Sequence, residues 1–395
     1  MNETVIAGGS EDYLEARHVS LRGTNREIGY AIASIARDVF DASPMYSPDP
    51  TVAAAIHAYF REHYPIHGER LLGAADAYGI PEGDPLANFV GLPFLIPLPG
   101  CSAASVAPGR TENGHAMLSK HMDFSRAFGG QTATGGADVS SKDLPTASRP
   151  YFFEIHPDEG YASMYTCQYD LLTGVHHGVN SEGLGVALLA DDETIARYPN
   201  DQPLTVGVGM YAPMLLRFIL DTCANVAEAK AALLRTKQYP FMLPSHMIIS
   251  DRHGDSFVWE KAPLNGAEHI IDRDGDIQTL TNHLVSEPAP THVSVDTDVG
   301  WTRTRLARLT ETVNAIDGPI SPGDMKKAHE SVRFTKRWVR ELTGSDEIAD
   351  GFDARTIWHS LYDLESRQVE VSFYLGDNPD GSDRRSEYLT FQLNA

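Results

Sequence analysis

The sequence predicts an α+β fold in which antiparallel sheets are covered by helices. Three observations carry that expectation. Helical periodicity dominates the first hundred residues, short strand-like runs cluster after Cys101, and pairs of helices separate those clusters. Strict alternation of single strands and helices would instead point to a parallel sheet. Helices lying over the sheets would make a layered sandwich.

The elements follow in chain order. Arg17 to Leu21 alternate apolar and polar residues as a strand does, and Gly23-Thr24-Asn25 turns the chain. From Glu27 to Phe40, residues Ile28, Ala31, Ile32, Ile35, Ala36 and Val39 recur at helical spacing. Two amphipathic helices are expected between Thr51 and Tyr78, broken near Tyr64-Pro65 because proline cannot continue the helix ladder. Asp84-Pro85 opens a further short helix ahead of the apolar run Phe89 to Leu98.

The texture changes at Pro99-Gly100-Cys101. Ser102 to Val106 suit a tightly packed strand, and Glu112-Asn113-Gly114 is a hairpin turn signal. Ala116 to Lys120 is the return strand, carrying Asp123 back towards Cys101. Gln131 to Pro150, rich in Gly, Ser, Thr and Ala, reads as an exposed loop. Short strands are expected at Tyr151 to Ile155, Ser163 to Cys167, Leu171 to Val175 and Gly185 to Leu189. Helices follow at Met210 to Cys223 and Val226 to Leu234, then a hairpin of His246 to Ser250 with Ser256 to Glu260. Ile277 to Leu280 is a strand, Thr302 to Ile316 a helix, and Ser321-Pro322 starts another. Thr356 to Tyr362 and Gln368 to Tyr374 close the chain as a hairpin.

Composition limits the function classes. With 32 Lys and Arg against 54 Asp and Glu, the formal net charge is -22. That balance argues against nucleic acid or an anionic membrane as partner, since both reward a basic face. Three cysteines in 395 residues do not make a disulfide framework. The N-terminus has neither a basic nor an apolar targeting region, and no run reaches membrane-spanning length, so a cytoplasmic location is expected.

The residues around Cys101 suggest chemistry. A cysteine at a strand start, with a carboxylate returned beside it by a hairpin, fits a nucleophile site. By itself it fits a small core residue better. A metallohydrolase is the rival, because His115, His121, His156, His176, His177, His246, His253, His283 and Asp123 offer enough donors. No His-Glu-x-x-His motif is present, however, and Pro65 breaks the helix that His63 and His67 would need. No metal is therefore expected. The Gly-Gly pairs at 8–9, 129–130 and 135–136 lack the strand-then-helix context of a phosphate loop.

Several segments in order resemble one family. They are Arg22 to Tyr30, Gly100-Cys101-Ser102, His121-Met122-Asp123-Phe124, Gly178 to Leu184, Thr281-Asn282-His283, Arg305 to Leu309 and Ile357 to Asp363. Together they resemble the cysteine N-terminal-nucleophile hydrolases of the isopenicillin N acyltransferase type, relatives of choloylglycine hydrolases and penicillin V acylases. The resemblance implies an αββα sandwich and a precursor that cuts itself between Gly100 and Cys101. Residues 1–100 would be a mostly helical leader and 101–395 the catalytic domain. The two would stay associated after the cut, and assembly into a homo-oligomer is left open.

The resemblance also implies roles. Cys101 becomes the nucleophile, with its own freed α-amine as base, a group of ordinary pKa about 7.7–8.0. Asp123 holds that amine, Asn282 stabilises the oxyanion and Asn180 is a second asparagine near the site. Arg305 orients the nucleophile, with Arg303 as an alternative alignment. Lys120, His121 and Phe124 are candidates for substrate binding. His121 and Met122 depart from the Asn-Trp-Asp usual in the family, and the 131–150 loop is a candidate lid. The chemistry is amide hydrolysis or acyl transfer through a thioester. It needs no organic cofactor, and acyl-CoA would be a co-substrate. A non-catalytic binding protein that never matures is the other reading, since fold alone does not fix function.

Overall fold

The computed structural model describes residues 2–44, 49–82, 84, 94–95, 100–126, 131–132, 146–167, 172, 174–197, 207–239, 244–262, 266–287, 294 and 297–394. The chain opens with strands β1 (Asn2–Gly8) and β2 (Glu15–Gly23), then helices α1 (Asn25–Phe40), α2 (Pro50–His63) and α3 (Pro65–Ala77). Strands β3 (Phe94–Leu95), β4 (Gly100–Val106), β5 (Met117–Ser125) and β6 (Gln131–Thr132) come next. They lead to β7 (Tyr151–Pro157), β8 (Ser163–Cys167), β9 (His177–Asn180) and β10 (Leu184–Ala190). Helices α4 (Asp192–Arg197), α5 (Ala212–Thr222) and α6 (Val226–Arg235) precede β11 (Ser245–Asp251), β12 (Ser256–Lys261), β13 (Glu268–Asp272) and β14 (Ile277–Leu280). Helices α7 (Thr302–Asn314), α8 (Pro322–Glu330), α9 (Lys336–Thr343) and α10 (Asp346–Gly351) follow. The chain ends in β15 (Ala354–Asp363), β16 (Gln368–Asp377), β17 (Asp383–Arg385) and β18 (Leu389–Gln392).

Local chemistry explains the helix ends. Thr24 and Glu27 form a reciprocal capping box at the start of α1, and Asp41 closes it in the left-handed region with φ 53°. Pro50 and Pro65 each sit in the first turn of a helix, where the missing N–H costs nothing, so the expected break falls between α2 and α3. Ser321 and Asp324 repeat the capping box on α8.

Among the described residues the strands form two large sheets. One runs β1-β2-β7-β8-β9-β10-β11-β12-β13; the other runs β14-β4-β5-β15-β16-β17, with β18 also on β16. Strand pairing within them is antiparallel, except that β2 and β7 run parallel. An apolar core lies between the sheets, built from Ala103, Leu118 and Phe124 on one side and Met164, Ala187 and Ile248 on the other. Helices α1, α3 and α5 bury their apolar faces on the outside of the first sheet. Helices α7 and α8 cover the outside of the second. The result is four layers, helix on sheet on sheet on helix.

Two differences from the sequence reading bear on the site. The first hundred residues are more than helical, because β1 and β2 form the edge of the larger sheet. The strand expected at Leu171 to Val175 starts later, at His177. The short helix at Asp84-Pro85, most of the run Phe89 to Leu98 and the body of the 131–150 loop, with its lid role, lie outside the described residues. Strand β15 carries a bulge between Thr356 and Trp358, so that Thr356 pairs with Asp123 while Trp358 pairs with Met122.

Candidate active site

The site is assembled where β4 and β5 lie side by side. Their register pairs Gly100 with Asp123, Cys101 with Met122, Ser102 with His121 and Ala103 with Lys120. Because strand side chains alternate, Cys101, Lys120, Met122 and Phe124 face the core between the sheets. Ser102, His121 and Asp123 face the layer of α7 and α8. Cys101 is buried, its Sγ 3.9 Å from Met122 Sδ. Gly100 is packed tightly: a Cβ there would lie 2.9 Å from the Phe334 ring and 3.1 Å from Asp123 Cβ.

Two further segments converge on the main chain of Cys101. The Cys101 N–H donates to Asn282 Oδ1 at 2.6 Å. Arg305, buried in the first turns of α7, donates from Nη1 to the Cys101 carbonyl at 2.9 Å and to Asp123 Oδ2 at 3.2 Å. Its Nη2 donates to Asn282 Oδ1 at 2.7 Å and its Nε to the Gly300 carbonyl at 3.2 Å. The guanidinium stacks 4.7 Å over the Phe334 ring. Two donors meeting at Asn282 Oδ1 fix which end of that amide is oxygen. Asn282 Nδ2 gives one N–H to the Ala190 carbonyl at the end of β10, 2.8 Å away.

Burial sets the electrostatics. It pushes the Cys101 thiol above its ordinary pKa; the Lys120 ammonium opposes the rise, and Asp123 and Asp192 add to it. Burial likewise raises the Asp123 carboxyl, with the charge of Arg305 and a hydrogen bond from Thr356 acting against it. A thiol held neutral in this way needs a nearby base before it can attack.

The structure separates the sequence-derived candidates. Cys101, Gly100, Asp123, Asn282 and Arg305 come together. Arg303 points elsewhere and holds Glu193 of α4 with bonds of 2.6 and 2.8 Å. Lys120 is buried on the thiol's face and donates to the His121 carbonyl at 3.0 Å.

Two expectations are corrected. Asn180 is not beside Cys101: its Nδ2 donates to the Leu220 and Cys223 carbonyls, and its Oδ1 accepts from Glu182 and Leu184 N–H groups. All its capacity is spent pinning the β9–β10 turn to the end of α5. His121 cannot line the thiol's side of the site, because strand alternation turns it to the opposite face, against His329 and His359. Phe124 is buried in the core between the sheets, on the same face as Cys101.

Four residues at the site escaped the sequence reading. Thr356 Oγ1 donates to Asp123 Oδ1 at 2.5 Å and accepts from the Phe334 N–H. Thr302 Oγ1 accepts from the Asn282 N–H at 2.6 Å. Phe334 is the platform under Arg305. Asp192 donates its N–H to the Asn282 carbonyl at 3.0 Å, and burial raises its carboxyl well above the ordinary range. Only the Asp191-Asp192-Glu193 run gives a sequence signal, and it reads equally well as a helix start.

Comparison with known proteins adds the family. A mutant of the conjugated bile acid hydrolase from Clostridium perfringens is 16% identical over 74% of this chain and 97% of its own, with a TM-score of 0.43. Penicillin V acylase from Agrobacterium tumefaciens is 18% identical over 71% of this chain and 88% of its own, with a TM-score of 0.38. No curated protein matches the chain in sequence. The family model described as acyl-coenzyme A:6-aminopenicillanic acid acyl-transferase matches residues 141–378, more than half of the chain. The chain belongs to the acyl-coenzyme A:6-aminopenicillanic acid acyl-transferase family.

Proposed function

We propose that this protein is a self-processing cysteine N-terminal-nucleophile enzyme that acts on linear amides, either hydrolysing them or passing their acyl group to an amine. The observation that carries the reading is the convergence of Asn282 on the nitrogen and Arg305 on the carbonyl of Cys101, with Asp123 paired to that buried arginine. A core cysteine needs no buried arginine and carboxylate around its main chain. A residue whose nitrogen is to become a free amine does.

Processing begins when the Cys101 thiol adds to the Gly100 carbonyl. The Gly100–Cys101 C–N bond breaks, the nitrogen leaves as the α-amine with the thiol's proton, and a thioester to Cys101 Sγ remains. Water hydrolyses it, giving the Gly100 carboxylate and the free thiol. In turnover the α-amine takes the Sγ proton and the thiolate adds to the substrate's amide carbonyl. The amine returns that proton to the leaving nitrogen as the C–N bond breaks. Asn282 Oδ1 and Arg305 hold the amine and its carbonyl in place. The second N–H of Asn282 Nδ2 is a donor for the oxyanion, a contribution of about 2.7–4 kcal/mol for one such group. Water or an amine then releases the acyl group.

Intact-mass measurement of the purified protein beside Cys101→Ala tests the reading. Two fragments meeting at Gly100/Cys101 in the wild type, and one whole chain in the variant, are expected. A wild-type chain that stays whole after long incubation at several pH values would sink self-activation and favour a binding role. Given cleavage, incubation with an acyl amide with and without an added amine separates hydrolysis from transfer by the product formed.

A further inference from the structure

The second sheet carries a cluster that the chemistry above does not use. His121 on β5 and His359 on β15 are register partners across the two strands, so their side chains rise together on the helix-facing side. His329, in the last turn of α8, comes down onto them. The three rings have centroids 4.5, 4.7 and 4.9 Å apart, and one nitrogen of each lies within 4.8 Å of the others. All three residues are buried. We propose that His121, His329 and His359 form a structural site for a transition-metal ion of the zinc class, clamping α8 to the sheet beside Asp123.

A second observation points the same way. Among the described residues, His329 Nδ1 and Nε2, His121 Nδ1 and Ser102 Oγ are all buried without a hydrogen-bond partner. Ser102 stands opposite His121 in register, on the same face. Four orphaned polar atoms in one place are costly unless something fills the space between them. Three imidazoles and one oxygen, from Ser102 or a water, make the four-coordinate donor set that zinc favours. Zinc–nitrogen bonds of about 2.0–2.1 Å put ligand atoms about 3.4 Å apart, so the rings must close by roughly an ångström, within the freedom of a histidine χ2. His359 would exchange its bond to Ser119 Oγ (2.8 Å) or Tyr388 (2.5 Å) for the metal.

The surroundings permit a cation. Burial, with Lys120 adding to it, pushes His329 down to about 3, and burial takes His121 and His359 well below their ordinary value. The nearby cations are paired: Arg333 and Arg385 with Asp383, and Lys326 with Glu370. Lys120 points to the other face of the sheet. A site so enclosed would load as the chain folds.

The test uses the full chain expressed with zinc in the medium, its metal content measured by mass spectrometry. Apo protein prepared with a chelator is then titrated with Co2+ and competed with Zn2+. One zinc per chain and visible tetrahedral cobalt bands, bleached by zinc, are expected. His329→Gln and His359→Gln should each weaken binding by about 100-fold or more, beyond the 10–100-fold that outer-shell changes cost. His63→Gln, on an exposed histidine, should leave it unchanged. Substoichiometric metal without cobalt bands in the wild type would overturn the proposal, even if the variants fold poorly. Binding unchanged in both variants would overturn it as well.

Discussion

Replacing Arg305 with methionine isolates the electrostatics of the site. The change is best made in the Cys101→Ala chain, which on the proposed mechanism is not cut, so that one covalent chain is unfolded. Arg305 is fully buried and satisfies oxygens on four residues: Cys101, Asp123, Asn282 and Gly300. Its removal strands Asp123 in a desolvated position, and breaking a buried pair in this way costs about 3–5 kcal/mol. That is a large share of a total stability of about 5–15 kcal/mol, so the shift in urea midpoint is readily measured. Adding Asp123→Asn removes the stranded charge, and the double variant should recover roughly 2 kcal/mol or more of the loss.

The pH dependence has a definite sign. Burial raises Asp123 above its ordinary 3.8, so the folded state holds its proton more tightly than the unfolded chain. Stability is lost as pH climbs from that value through the folded pKa. Arg305 limits the rise, so without it the loss is deeper and extends to higher pH. The penalty of Arg305→Met should therefore be smaller at about pH 4 than at about pH 7. A penalty below about 1 kcal/mol, the worth of an exposed pair, would refute the reasoning. So would a penalty that does not change with pH.

Three other outcomes are expected. Gly100→Ala forces a Cβ to within 2.9 Å of Phe334 and 3.1 Å of Asp123, so cleavage followed by intact mass should slow by about tenfold or more, equivalent to about 1.4 kcal/mol of barrier. Asn180→Ala leaves the Leu220 and Cys223 carbonyls without their donor; it should cost about 2–4 kcal/mol in thermal unfolding while activity per folded molecule stays within about twofold. After cleavage the two chains should co-elute in native size exclusion and part only in denaturant. The parallel β2–β7 ladder and the buried Arg70–Asp221 pair both join the leader to the rest; free leader under native conditions would contradict this.

What the sequence could show depended on distance along the chain. The helix break at Pro65, the β4–β5 hairpin and the β11–β12 hairpin rest on local chemistry and were all legible. Periodicity also found the apolar face of α1. Facing was less accessible. Asp123 does return towards Cys101, but the register pairs it with Gly100, so its carboxylate and the thiol sit on opposite faces of the sheet. His121 sits two residues from Asp123, yet alternation removes it from the thiol's surroundings. Asn180 has the composition of a site asparagine, and only the carbonyls at the end of α5 reveal that its bonds are committed. Thr302, Phe334 and Thr356 lie about 200 to 255 residues from Cys101, and no spacing rule links them to it. The same holds for His329 and His359 relative to His121.

The bulge in β15 has a consequence for how this chain tolerates insertions and deletions. In a regular strand Thr356 and His359, three residues apart, would point to opposite faces. The extra residue, Ile357, lets both look towards the helical layer, one against Asp123 and the other against His121. Loss of that single codon would keep every functional side chain in the protein. It would still turn one half of the strand over relative to the other, taking either the threonine from the carboxylate or the histidine from its cluster. Lineages that lengthen or shorten this strand are thus confined to changes that restore the offset.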